Sequence, residues 1–248
     1  WSKLVSKPVT FVAVEESTPQ SNWLRGLGFA RRYVEEKEES TTIFPTKKPS
    51  VNWGGVALGS VTFSGVQHLI RAIHPDVRKN LGGKYFPEYW ASVKSIPRSF
   101  NDGDSWTVNY VAHGAQGSVN TFIWARNDPA CQNVQFGNNK AYWKCKGRQT
   151  TFAFASSVCF EACPLLSEAA FGNLGSGYGR NGYGDIIITT AVGSGISVAE
   201  DAIYAKYILK VRETNPRKAN ILMIFLNPTR SVANLMSFTY PWRGPVPR

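Results

Sequence analysis

The sequence predicts a mainly α-helical chain: a Gly/Ala-rich helical bundle with one cysteine-bounded loop excursion and extended termini. Three observations lead there. From Asp104 to Arg126 the chain holds no charge between its two ends. Yet Trp106, Asn109, His113, Gln116/Gly117 and Asn120 recur every three or four residues, so as a helix they share one face. Small residues also stand at helix-packing positions: Gly55 and Gly59 in the uncharged stretch from Val51 to Ile70, and Gly193, Gly195 and Ser197 in a long apolar run. Finally, 43% hydrophobic content with 13% aromatic residues excludes disorder for most of the chain.

Taken in order, residues 1–50 read as an extended N-terminal arm, rich in Ser, Thr and Pro, with one helical candidate over 21–39. A flexible leader and a segment that orders on a partner are equally good readings of it. The helical domain follows over 51–238. It opens with a helix over 51–73, then loops around a short helix near 87–94, marked by Pro75, Gly82-Gly83, Pro87 and Pro97. The polar-faced helix 105–126 stops at Arg126-Asn127-Asp128-Pro129. Residues 128–149 form the cysteine-bounded loop or hairpin, and a helix over 151–171 is kinked or divided by Pro164. The stretch 172–184 holds six glycines. It lacks the preceding strand that a phosphate-cradling loop needs and reads as a connector. Asp185 then caps a long apolar helix over 186–212, with Glu200-Asp201 partway along. A last helix over 219–238 is interrupted at Asn227-Pro228, and residues 239–248 form a basic, aromatic tail.

Charge narrows the partners. Only 18% of residues are charged and the net charge is +11, concentrated toward the C-terminus. From Lys210 to Arg248 seven Lys/Arg face only Glu213. No zinc-finger spacing, aromatic RNP motif or basic zipper accompanies this excess, so nucleic acid ranks below anionic lipid and protein surfaces. A dense secreted globule is the plain alternative. The chain opens on Trp1 without a leader-like segment and reads as a mature or trimmed form. The uncharged runs 51–70 and 105–125 are long enough to cross a bilayer, but their Asn, Gln and His point to shielded or interfacial helices.

Cys131, Cys145, Cys159 and Cys163 are disulfide candidates, with three connectivities open. Cys131 and Cys145 flank a polar excursion as the ends of a closed loop would. Cys159 and Cys163, four apart on one helix, make no easy bridge. An oxidising compartment is favoured. His68, His74 and His113 lie well upstream of the cysteines and no C-x-x-C occurs, so no metal site and no cofactor are expected.

Asp104, His113, Glu161 and Asp185 are the catalytic candidates, since an imidazole between carboxylates can move protons. No nucleophile elbow surrounds Ser118 or Ser157. A buried polar network of Asp104, Trp106, Asn109, His113, Arg126, Glu161, Asp185 and Glu200 is preferred, with Arg126 pairing Asp104 or Glu161.

Several of these residues recur in one ordered pattern: Asp102-Gly-Asp104-Ser-Trp106-Thr-Val-Asn109, His113 with Gly117, and Ala125-Arg126. Glu161, Asp185 with Thr189, Gly193 and Glu200 follow, then Asn227-Pro228-Thr-Arg230 with Asn234. Over about the last 150 residues this order resembles an uncharacterised family of bacterial envelope proteins, similar in pattern to the YfiM-like lipoproteins and remotely to the VanZ-like membrane proteins. The resemblance implies helices lying in or under a membrane and transfers no reaction. The chain departs from it at Gly114, where the family pattern has Pro, and in the Cys131–Cys145 and Gly-rich insertions. The expectation is a non-enzymatic component of a membrane-associated envelope assembly, periplasmic or outer-membrane, with other envelope proteins as partners. Its rivals are a membrane-proximal lipid-processing hydrolase using His113 with a carboxylate, and a soluble small-ligand-binding module.

Overall fold

One helix, buried on nearly every side, organises the fold. The computed structural model describes residues 50–73, 85–98, 100, 105–171 and 182–245; the arm 1–49, Asp104 and most of the Gly-rich stretch lie outside the described residues. The helices are α1 (Trp53–Ile73), α2 (Tyr85–Ser95), α3 (His113–Asn127), α4 (Lys140–Ala162), the short α5 (Glu168–Phe171) and α6 (Tyr183–Ile203). They continue as α7 (Leu209–Thr214), α8 (Pro216–Leu226) and α9 (Pro228–Met236), with no strand among the described residues. The mainly α bundle is as expected, and Pro49–Arg248 forms one compact unit.

α3 is the centre. A π-helical turn, Thr107–Ala112, feeds into it, and α6, α4, α9 and α1 pack around it. Its amides and hydroxyls (Gln116, Ser118, Asn120, Thr121) are buried along with Val119, Phe122 and Ile123. The polar face is sheltered, but by the chain's own helices; this corrects the expectation that something outside the fold would hide it from water.

Glycines let the backbones meet. A Cβ on Gly117 would stand 1.7 Å from the Thr189 carbonyl oxygen, and one on Gly193 would stand 2.6 Å from Gly117 Cα. α3 and α6 therefore touch backbone to backbone at this crossing, the use that small residues have in tightly packed helix pairs. Gly59 of α1 likewise faces Ile123, where a Cβ would approach its Cγ2 to 3.1 Å.

Several boundaries differ from expectation. α4 begins at Lys140, eleven residues before the predicted start, because Asn139 caps it by accepting the Tyr142 amide at 2.9 Å. Pro164 lies beyond its end and so does not kink it. Cys145 is thus helical, and its disulfide to Cys131 ties the loop to the second turn of α4. Cys159 does pair with Cys163: Cys163 has left the helix with extended backbone, which brings the two Cα atoms to 4.7 Å. α6 starts at Tyr183 behind Gly182, so Asp185 sits within the first turn and is not the cap. Gly193 and Gly195 do not break α6, which runs through a π-helical segment, Tyr204–Ile208, into α7. Asn215 caps α8 by accepting the Lys218 amide at 3.0 Å, and Asn227-Pro228 divides α8 from α9 as predicted.

The C-terminal tail has no helix, but it is not loose. Up to Pro245 its carbonyls are held by Asn234 (to Pro241 and Arg243), Arg212 (to Trp242) and Tyr204 (to Pro245).

A candidate metal centre and a buried ion network

Polar groups line α3 in two clusters. At its N-terminal end His113, the penultimate Glu161 of α4 and the first-turn Asp185 of α6 converge, and their ligand-type atoms all lie within 4.8 Å of one another. They are 3%, 0% and 1% exposed respectively. His113 Nδ1 stands 3.2 Å from Thr189 Oγ1, one helical turn beyond Asp185. The Gly117–Gly193 crossing sets this register, since His113 lies one turn before Gly117 and Thr189 one turn before Gly193.

Around this end, His68 of α1 stacks on Phe160 at 5.2 Å, and Tyr89 of α2 donates to the Ala162 carbonyl at 2.8 Å. Arg71 pairs with Glu168. Burial pushes the His68 imidazole below its ordinary range. Three of the four predicted acid-base candidates therefore do come together, and the fourth, Asp104, lies outside the described residues.

The second cluster starts one turn further along α3. Ser118 Oγ meets Thr229 Oγ1 at 2.6 Å, and Thr229 Oγ1 donates to Glu200 at 2.8 Å. Glu200 also accepts the backbone amides of Thr229 (3.0 Å) and Arg230 (3.1 Å), so a carboxylate on α6 caps the N-terminus of α9. Beside it Asp201 accepts Lys146 Nζ at 2.7 Å, the Tyr142 hydroxyl at 3.0 Å and the Arg230 guanidinium. Arg230 lies over the Phe122 ring at 4.2 Å. Burial pushes the Lys146 ammonium down, with the Asp201 charge opposing it, and pushes the Glu200 carboxyl up against the pull of its Thr229 and Arg230 donors.

The predicted network is thus two clusters, not one. Glu200 belongs to the second. Arg126 reaches neither Glu161 nor its end of the bundle. It sits thirteen residues along α3 from His113, roughly 20 Å away, and donates to Asn234 at 3.3 Å. Trp106 is 67% exposed and joins no network, whereas Asn109 is buried in the π-helical turn. Lys146, Asp201 and Tyr142 were missed by sequence reasoning. Lys146 and Tyr142 fell in the predicted loop, and only the α4 start at Lys140 puts them on its inner face with Cys145 and Gln149.

Beyond the ion network a cavity of about 360 Å³ is lined by Arg126, Arg230, Arg243, Asp201, Gln149 and Asn234 among others. Burial and the neighbouring Arg243 cation push Arg126 below its ordinary value. Compared with protein-family models, curated proteins and solved structures, the chain matches none.

Proposed function

We propose that the protein is a non-enzymatic, membrane-associated component of a bacterial cell-envelope assembly. One observation carries this: beside two small hydrophobic clusters, the described helices bury much polar side-chain surface and leave apolar faces outside. Among the described residues, buried polar and charged side chains outnumber buried hydrophobic ones, while large hydrophobics stand exposed along several helices. α1 shows Leu58, Val61, Leu69 and Ile73 at helical spacing, and α4 shows Phe154 and Val158. α6 exposes Ile187 and holds no charge between Asp185 and Glu200. Water disfavours such faces and lipid or a partner helix does not. The helical run Tyr183–Thr214 also has the length and apolarity that a crossing requires. Association through these faces is the proposal, and it does not depend on a crossing.

Two further features fit. Both disulfides suit an oxidising compartment. The stacked Tyr240 and Trp242 beside the arginine-lined cavity suit a headgroup layer with anionic lipid. Catalysis by His113 is not preferred, because His113, Glu161 and Asp185 are sealed among helices while the cavity lies at the other end of α3.

The test is fractionation and vesicle binding. The full chain should sediment with membranes, need detergent for release, and bind vesicles with phosphatidylglycerol more tightly than zwitterionic ones. Replacing Arg126 and Arg243 by Gln should remove that lipid preference but not the detergent requirement. A chain that stays monomeric and soluble without detergent refutes the proposal.

A further inference from the structure

We propose that His113, Glu161 and Asp185 form a binding site for a divalent transition-metal ion of the Zn²⁺ or Mn²⁺ kind, which ties α3, α4 and α6 together at one end of the bundle.

Geometry comes first. Imidazole and carboxylate atoms bound to one such ion at about 2.0–2.2 Å stand about 3.4 Å apart in tetrahedral geometry and up to about 4.4 Å when opposite one another. The trio's ligand atoms lie within 4.8 Å of one another, so binding requires them to close in by side-chain rotation. The three stems come from three separate helices whose positions are already fixed. The Gly117–Gly193 crossing sets α3 against α6, the Cys159–Cys163 disulfide closes the end of α4 that carries Glu161, and the Gly184 amide donates to the Phe100 carbonyl at 3.1 Å just before Asp185.

Thr189 supplies an outer contact. Metal-bound imidazoles are ordinarily held through their second ring nitrogen by another protein group, which sets tautomer and ring orientation. The 3.2 Å contact from Thr189 Oγ1 to His113 Nδ1 has that form, and in this inference it leaves Nε2 for the ion. A donor set of one nitrogen and two carboxylates suits Zn²⁺ or Mn²⁺ better than Ca²⁺ or Mg²⁺, which favour oxygen alone. Enclosure by helices makes the ion a structural clamp in this inference, which stands apart from the membrane proposal.

The experiment uses the untagged full chain in detergent, stripped with dipicolinate and reloaded with ZnCl₂ or MnCl₂, with metal content read by plasma mass spectrometry. About one ion per chain is expected, with a higher thermal midpoint than the stripped protein. Asp185→Asn and Glu161→Gln should each weaken binding at least tenfold. Thr189→Val keeps all three ligands, so it should fold even where those variants do not, and should weaken binding by about 10–100-fold. Cobalt reconstitution should give visible bands that vanish in His113→Gln. Stripped wild-type protein that takes up neither ion, or uptake unchanged by every one of these substitutions, overturns the proposal whether or not the chain binds membranes.

Discussion

Replacing Asp201 by Asn should be among the most damaging single changes in the bundle. Asp201 is the acceptor for Lys146, Arg230 and Tyr142, and the Lys146 contact is 2.7 Å. At an effective dielectric of about 20, a 2.7 Å pair attracts by roughly 6 kcal/mol before desolvation is subtracted. Breaking a buried pair while leaving its partner in place typically costs about 3–5 kcal/mol. For a domain of this size that corresponds to a fall of roughly 6–20 °C in Tm. Thermal unfolding in detergent, followed by circular dichroism, reads it directly. The paired change Lys146→Met with Asp201→Leu should restore only part of the loss, since it removes the Lys146 charge but still takes Asp201 from Arg230 and Tyr142.

pH adds a second readout. Lys146 already has a depressed value in the fold, so between that value and the ordinary 10.5 the unfolded chain binds more protons and stability rises with pH. Removing Asp201 takes away the charge that raises Lys146, so the window should widen downward and the variant should recover toward wild type as pH increases. A loss below about 1 kcal/mol, or a deficit independent of pH, refutes the assignment of this cluster as a buried ion network.

Gly117→Ala should force α3 and α6 apart at a point with no side chain able to yield, costing about 3 kcal/mol or more, measured by denaturant unfolding. Glu200→Gln replaces one acceptor oxygen by a donor against the α9 amides and should cost about 2 kcal/mol, with hydrogen exchange accelerated at Thr229 and Arg230. Replacing Cys131 and Cys145 by Ser should cost about 3 kcal/mol and replacing Cys159 and Cys163 about 2, on loop length alone, so the first pair should lower Tm more. Acidification through the His68 range should destabilise the wild type, because the unfolded imidazole binds its proton more readily than the folded one. His68→Phe should flatten that limb of the pH–stability profile; an unchanged limb assigns the effect elsewhere.

Much of the architecture was legible. Helical spacing of Asn109, His113, Gln116/Gly117 and Asn120 marked the segment that became the central helix, and Asn227-Pro228 marked the break before α9. The convergence of His113, Glu161 and Asp185 was anticipated from their places on apolar helices. Arg126 was misplaced because any buried carboxylate is a reasonable partner until distance along α3 is known. Residues 140–150 were misread because their polarity resembles a loop, and only the Asn139 cap and the Cys131 tether turn them into helix.

From local chemistry alone came helix type, breaks and the small-residue positions, because spacing, capping and missing side chains act within a few residues of each other. Which cations face which carboxylates, that the polar helix is sheltered by its own neighbours, and that the apolar faces are left outside were decided only in three dimensions. The reason is that pairing and burial depend on how helices far apart in sequence cross, and one close contact between Gly117 and Gly193 sets that crossing.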